Sequence, residues 1–338
     1  MVPEIERRMS EQVELRNRVI QSIAKNPAIG VVGMCSWDTV LTVDTMPDPG
    51  GFAFVSSVDE LPGGTSANAA VTAARLGARV ELVSAVGDDP IGRRLVSALS
   101  ERGVDTARVR FTTDEPTDQT TVITSMAPPN RTLFWRQGAV PRMGDPIDID
   151  RLFTRNLVLL DSVDPALRRF LIDLPVHTYP DVKILVPMTY VVDFSGRDEI
   201  DSVVRCDALV GSENELQALT GKDSLETAIT ATQELIRVHN LRWVAVTRGA
   251  QGALAFDAHH VYRVPALPVE VVDTTGAGDA FAGAFGVGLA CRLPLPDALA
   301  LANCVAGLSV RSVGAQTSLP ASAEAGDWLI RAALPTRD

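Results

Sequence analysis

Cysteine is scarce in this chain. There are four in 338 residues (Cys35, Cys206, Cys291 and Cys304), and none stands in a Cys-x-x-Cys pair. Three of them fall in apolar stretches, a pattern of reduced, buried thiols rather than of a disulfide frame. The first 27 residues carry no apolar core of the kind a secretory leader needs. No apolar run approaches the ~18 residues of a membrane-crossing helix. A cytoplasmic location is therefore expected, and a membrane partner is not. Positive charge is also short: 31 Lys and Arg stand against 42 Asp and Glu, a net charge of −11. A duplex binder needs the opposite sign, so nucleic acid is not an expected partner, and an anionic substrate must be held by local donors. The four histidines, His177, His239, His259 and His260, form no metal-ligand pattern. No internal repeat or low-complexity tract is visible.

What is present is an ordinary globular mixture, 46% hydrophobic and 22% charged, long enough for two domains or one large α/β domain with an insert. In residues 1–27, Ile5, Met9, Val13, Val19 and Ile23 predict one face of a helical extension, packed on the body or on another subunit. Ile29–Met34 is a short apolar strand, Val80–Val86 another. Ala67–Leu76 and Ile91–Arg102 have helical composition and each is stopped by a glycine. Further strands are expected at Leu157–Leu160, Ile184–Val186, Ala208–Val210 and Val244–Thr247, with helices between them. Such alternation predicts a mostly parallel sheet covered by helices on both faces. Two β-rich excursions, 39–61 and 118–137, interrupt it. They are separated by one strand–helix unit and are placed to form a small sheet of their own.

The most informative segment is Val272-Asp273-Thr274-Thr275-Gly276-Ala277-Gly278-Asp279-Ala280-Phe281. It follows a strand-like run, Val269–Val272, and opens a helix of small apolar residues. Such a turn aims several backbone N–H groups at one point, backed by the positive end of the helix, and makes an anion site without lysine. Asp279 lies in the first turn. A carboxylate beside a phosphate is costly unless it is used, and its natural use is to accept the proton of an attacking hydroxyl. Taken alone, the same residues also suit an N-cap and a plain turn. No GxxxxGK[ST] loop occurs, and the segment lacks the third glycine of a dinucleotide-binding fingerprint.

The string DTTGAGDAF resembles the C-terminal signature of the ribokinase (PfkB) family of carbohydrate kinases. The first signature of that family is matched by Gly63-Gly64-Thr65-Ser66-Ala67-Asn68-Ala69-Ala70 and its continuation Ala73-Ala74-Arg75-Leu76-Gly77, and by Val86-Gly87-Asp88-Asp89-Pro90-Ile91-Gly92. The resemblance covers residues 28–325. It implies a three-layer α/β/α fold with a mostly parallel central sheet, a kinase domain over 28–330 and a small β-sheet lid from 39–61 and 118–137. It implies ATP-dependent transfer of a γ-phosphoryl group to a hydroxymethyl group of a small carbohydrate, with Mg2+ and, in many members, a monovalent cation such as K+.

Residue by residue, the resemblance makes Asp279 the base and the backbone of Gly276, Ala277 and Gly278 the anion hole. Asp38, Gly63, Gly64 and Asn68 fall on sugar-binding positions, although Thr65 stands where the family often has Lys. Glu215 matches the glutamate that orders Mg2+ through water, while Ser212 replaces the family's Asn. Thr247, Gly249 and Asn303 match nucleotide contacts. Asp273, Ser309, Gly314 and Ser318 fall where many members hold the monovalent cation. Arg131 and Arg136 lie on the second excursion, as solvated charges or within reach of substrate. Phe134 and Trp135 either cover the sugar ring or fill the lid interface, the interface being the expected place, and a homodimer through the lid is implied. A nucleoside kinase needs apolar and aromatic groups around a base, for which Trp37 is the candidate. An inactive member serving as a sugar- or nucleotide-binding regulatory module is the remaining alternative.

Overall fold

The computed structural model describes residues 2–127, 129–195 and 200–338. Its strands, in chain order, are β1 (Ala28–Gly33), β2 (Ser36–Val43), β3 (Val55–Gly63), β4 (Arg79–Gly87), β5 (Val104–Thr112), β6 (Gln119–Met126), β7 (Pro129–Arg136), β8 (Leu157–Asp161), β9 (Lys183–Pro187), β10 (Ala208–Ser212), β11 (Trp243–Thr247), β12 (Ala253–Phe256), β13 (Val261–Val264) and β14 (Thr336–Arg337). Ten of them form one sheet in the order β14-β13-β12-β11-β10-β9-β8-β1-β4-β5. From β5 to β11 every neighbouring pair is parallel, and β12, β13 and β14 add an antiparallel edge. The strands expected at Ile29–Met34, Val80–Val86, Leu157–Leu160, Ile184–Val186, Ala208–Val210 and Val244–Thr247 are present to within a residue or so.

Alternation along the parallel strands assigns the two faces. Ile29, Val31, Leu157 and Leu159 join one apolar core, with helices Thr65–Arg75, Ala277–Ala290, Leu295–Ser309 and Ser322–Leu329. Val32, Val158, Leu160 and Val186 join the other, with helices Pro165–Asp173, Glu213–Thr220 and Leu225–Val238. Because both faces are covered, each strand reads as an unbroken apolar run. Helix Ala277–Ala290 is buried on all sides from Ala280 onward. Its glycines permit close approach: a Cβ at Gly283 would lie 2.5 Å from the carbonyl oxygen of Ala69 in the neighbouring helix. Phe285 of this helix is fully buried and stacks on Phe281 at 6.2 Å between ring centroids. Phe285→Ala is expected to cost about 3–5 kcal/mol through lost burial and the cavity left behind. Equilibrium urea unfolding measures this; a loss below ~1 kcal/mol would contradict the packing described.

The second sheet has the order β3-β2-β6-β7. It brings the two β-rich excursions together through the parallel pair β2/β6, with Asp38 opposite Thr120. Residue 128, within the second excursion, lies outside the described residues.

Two expectations are corrected. Val269–Val272 is not a strand. Pro265 and Pro268 precede it, Val271 and Val272 are exposed, and the N–H groups of Val272 and Asp273 both donate to the Val310 carbonyl instead of a ladder. The glycine turn is therefore a loop-to-helix junction. The N-terminal helix, Val2–Ile23, is present, but its buried stripe is Gln12, Leu15, Val19 and Ile23. Met9 and Val13 stand ~60–100° off that stripe at 100° per residue and remain exposed. The stripe packs beside helix Ser322–Leu329, with Gln12 Nε2 donating to Ala332 O (2.6 Å) and Arg18 paired with Asp297 (2.8 Å).

Candidate active site

The site begins where the chain passes from β1 of the main sheet to β2 of the small one. Ser36 Oγ donates to Asp38 Oδ1 at 2.7 Å. Gly63 on β3 faces the same carboxylate so closely that a Cβ there would fall inside contact distance of Asp38 Oδ2. Burial pushes Asp38 up to about 6, against the lowering by Ser36. Helix Thr65–Arg75 opens immediately after Gly64 and carries Asn68 on its first turn. Asn68 is oriented at both ends of its amide: Gln316 Nε2 donates to its Oδ1 (2.9 Å), and its Nδ2 donates to Asp279 Oδ2 (2.8 Å). These residues wall a cavity of about 310 Å3 with an apolar side of Met34, Val122, Leu133 and Trp135.

Asp279 sits on the first turn of helix Ala277–Ala290. Gly276 is its N-cap at φ 74°, ψ 3°, the left-handed region that glycine enters without penalty. A Cβ there would collide with Ala315. No side chain caps this helix, so its first N–H groups point outward from the turn. Asp273 fixes the loop before it. One carboxylate oxygen accepts from Thr275 N (2.9 Å) and Thr275 Oγ1 (2.7 Å), and the other accepts from Gly314 N (2.9 Å). Arg131 Nη1, reaching over from β7, donates to Thr275 Oγ1 at 3.0 Å.

Behind Asp279 lies a second, acidic cavity of about 190 Å3. Thr65, Asp161, Thr189, Glu215, Thr247 and Gly278 are among its walls. Asp161 ends β8 and is buried; its Oδ2 accepts from Thr65 Oγ1 and from Ser66 Oγ (2.9 Å), while its buried Oδ1 has no hydrogen-bond partner among the described residues. Burial raises Asp161 to about 7. Glu215 is held in a capping box at the start of helix Glu213–Thr220: Ser212 N donates to Oε2 (2.6 Å) and Thr189 Oγ1 to Oε1 (2.7 Å). Asp279 is likewise raised to about 7, first by burial and then by the charges of Asp161, Asp38 and Glu215, against the Asn68 hydrogen bond.

A third cavity, about 360 Å3 and mostly apolar, opens between Thr247, Gly249, Leu267, Phe281, Asn303 and Gly307. The three are neighbours with shared walls. Thr65 and Asp279 border both the first and the second; Thr247 and Gly278 border both the second and the third. A polyol-sized space, an acidic space and an apolar space suited to a heterocycle thus lie side by side, with Asp279 between the first two and the glycine turn alongside.

Most residues singled out in the sequence meet here: Asp38, Gly64, Asn68, Thr247, Gly249, Gly276, Ala277, Gly278, Asp279, Glu215 and Asn303 all border these cavities, and Gly63 supports Asp38. Asn303 Nδ2 donates to Pro265 O (3.0 Å), leaving its Oδ1 for the cavity. Asp273, Ser309, Gly314 and Ser318 also gather. Ser318 Oγ donates to Ser309 O (2.6 Å), and both carboxylate oxygens of Asp273 already accept hydrogen bonds, so the cluster acts here as a clamp on the glycine turn. Trp37 is removed from consideration as a base-stacking group: it is buried under the Arg94 guanidinium (4.4 Å) and borders none of these cavities. Trp135 is divided between roles, lining the acceptor cavity while its Nε1 donates to Asp118 (2.9 Å); Phe134 is exposed. Arg131 borders the acceptor cavity, whereas Arg136 is exposed at the end of β7. Asp161, Thr189, Tyr190 and Gln316 were not singled out. Only Asp161 carried a signal: an acid ending an otherwise apolar parallel strand.

Fold and site together define a transferase that brings a hydroxyl acceptor to an anion-binding turn beside a nucleotide-shaped pocket. Residues 27–322 match the model of the pfkB family carbohydrate kinases, and the chain belongs to that family. It is similar to the ribokinase of Bacillus subtilis, 31% identical over 307 residues that cover 89% of this chain and 99% of that one. It is also similar to the 2-dehydro-3-deoxygluconokinase of Thermoproteus tenax, 29% identical over 91% and 97% of the two chains. Its fold matches that of Arabidopsis thaliana ribokinase, a structure complexed with ribose and ATP, with a TM-score of 0.77 at 24% identity over 91% and 99% of the chains. The chain is accordingly a kinase with an alcohol as acceptor.

Proposed function

We propose that this protein transfers the γ-phosphoryl group of ATP to a hydroxymethyl group of a monosaccharide. The observation that carries this reading is the position of Asp279 at the junction of the acceptor and acidic cavities, at the uncapped N-terminus of a helix. The sugar lies in the 310 Å3 cavity, with two hydroxyls on Asp38 and others on Asn68 and the backbone of Gly64. The adenosine of ATP occupies the apolar cavity with Asn303 at its rim, and the triphosphate runs past Thr247 and Gly249 to the turn. Asp279 accepts the proton of the attacking hydroxymethyl oxygen. The N–H groups of the Gly276–Gly278 turn take up charge on the transferring group, and Arg131 adds a cation above Thr275. The acidic cavity offers hard oxygen donors, including Asp161 Oδ1, which suit Mg2+; Glu215 would hold it through water. Bound there, Mg2+ supplies charge neutralisation to the phosphates.

The small sheet is read as a lid that closes over the sugar and excludes water. Val58, Leu133 and Phe134 on it, with Phe52 and Phe54 in the loop that enters β3, are exposed, and covering them against a second copy supports a homodimer through the lid. Among the described residues no helix is long and apolar enough to cross a membrane, and the four thiols are free; both fit a cytoplasmic ATP consumer. A monovalent cation at the Asp273 clamp is tested by exchanging K+ for Na+ in the assay below.

The test is an ADP-release assay with Mg2+-ATP and a panel of ribose, fructose, a sugar acid and adenosine. Turnover with a monosaccharide and not with adenosine is expected. Adenosine as the preferred acceptor establishes the nucleoside reading; ligand binding without turnover establishes an inactive binding module.

The raised carboxylates set a pH dependence. Asp279 must be ionised to act, so kcat/KM is expected to fall as pH drops through about 7, the macroscopic value belonging to the set Asp279, Asp161 and Asp38. An acid limb at pH 4, the value of an ordinary carboxylate, would contradict this environment.

A further inference from the structure

A fourth cavity lies at the other end of the sheet. It measures about 390 Å3 and is framed by the start of β9, the approach to β10, the start of β11 and the carbonyl end of helix Ala277–Ala290. Three cations line it: Lys183, Arg242 and Arg292. Two carboxylates face them, Asp181 and Asp207. Asp207 is already engaged, its Oδ2 accepting from Ile184 N (2.9 Å) and its Oδ1 lying 3.6 Å from Arg242 Nε. Among the described residues, neither Lys183 nor Arg292 has a carboxylate within ion-pair distance, in a chain whose net charge is −11. Burial and the neighbouring Arg292 charge hold the Lys183 ammonium below its ordinary pKa, against the raising effect of Asp207 and Asp181. Trp243, Leu289 and Leu293 give the cavity an apolar wall.

The backbone adds an independent observation. Arg292 sits at φ 57°, one of only two non-glycine residues in the left-handed region among those described. It directly follows the helix C-cap, where glycine is the ordinary choice. The chain thus accepts backbone strain to place a guanidinium at this spot, and strain of this kind clusters at ligand sites.

We infer that this cavity binds a small phosphomonoester, its phosphate held by Lys183, Arg242 and Arg292 and its organic part lying on Trp243, Leu289 and Leu293. Its size falls within the ~300–1,000 Å3 of small-molecule sites. Three cations against two carboxylates leave one positive charge unmatched, which an entering anion offsets. The site stands apart from the catalytic turn, at the far end of the same 14-residue helix, ~21 Å along its axis.

The test uses thermal unfolding of the full chain titrated with inorganic phosphate or with glycerol 3-phosphate, ionic strength held constant with KCl. Arg292→Gly is the informative variant, since it removes the charge at a position whose backbone suits glycine and so leaves the fold intact. The glycine turn at Gly276 also attracts phosphate, so the readout is the difference between wild type and variant. A saturable rise in Tm is expected for the wild type, with a lower half-saturating concentration for glycerol 3-phosphate than for inorganic phosphate. In Arg292→Gly, and in Lys183→Gln as a second variant, half-saturation should move at least fivefold higher. A smaller shift, or no saturable response in the wild type, overturns the inference, and Arg292 then serves only the carbonyl end of its helix. Equal half-saturation for the two probes with the fivefold shift intact overturns the organic part alone, leaving a phosphate site. None of these readouts depends on the sugar-kinase reading.

Discussion

Asp279→Asn is expected to lower kcat by three or more orders of magnitude while leaving nucleotide affinity nearly unchanged. The amide has the shape of the carboxylate and can still meet Asn68, whose Nδ2 lies 2.8 Å from Oδ2 in the wild type, but it cannot accept a proton. General base catalysis is worth ~10²–10⁴ in rate, and loss of the charge beside the transferring phosphoryl removes further organisation. Unfolding is not an alternative cause. Asp279 has a folded-state pKa of about 7, above that of the unfolded chain, so its contribution to stability is present at low pH and is lost as pH rises through 7. At pH 8 the buried charge disfavours the native state, and Asp279→Asn should melt at a temperature equal to or above wild type. Steady-state assays with ADP titrations and melting curves at pH 8 make the comparison. A variant with kcat within tenfold of wild type would remove Asp279 from the chemistry.

The second large effect is expected at a residue with no functional side chain. Gly63→Ala places a methyl group inside the contact distance of Asp38 Oδ2. Asp38 is fixed on β2 by Ser36 and by the pairing of β2 with both β3 and β6, so it yields by rotating away from the sugar. A displacement on the order of 1 Å at a positioning group costs about 10²-fold in kcat/KM. The loss should fall on the sugar KM, with the ATP KM unchanged, because the apolar cavity shares no wall with Gly63. Saturation curves in each substrate separate the two. An unaltered sugar KM would mean that Asp38 does not hold the acceptor.

Much of this was legible in the residues themselves. The doubly covered sheet could be read because strands such as Leu157–Asp161 bury both faces and so are apolar throughout. The glycine turn was legible because its chemistry is local: Gly276, Gly278 and Asp279 are within four positions, and the helix that backs them follows at once. What was not legible depends on contacts across the chain. Asp161 becomes part of the site only because β8 ends beside helix Thr65–Arg75, 95 residues away from its partner Ser66. Gln316 orients Asn68 across 248 residues, and Arg131 meets Thr275 across 144. Trp37 misled as a candidate base platform because alternation along β2 does not say which neighbour covers a given face; Arg94 does. Val269–Val272 misled because β-branched composition marks a strand only where a partner edge is available, and here Val310 O takes both N–H groups.

Three carboxylates with raised pKa values are tolerated together at this site. Each is costly when ionised, and each borders the acceptor cavity or the acidic cavity beside it. Natural chains keep such destabilising groups where chemistry needs them.

A crystal structure with the preferred monosaccharide and a non-hydrolysable ATP analogue tests the assignment most directly. The hydroxymethyl oxygen of the sugar should lie within ~2.6–3.2 Å of an Asp279 carboxylate oxygen, in line with the γ-phosphorus over the Gly276–Gly278 turn. An acceptor oxygen bound instead to a different base, with Asp279 turned out of the cleft, would contradict it.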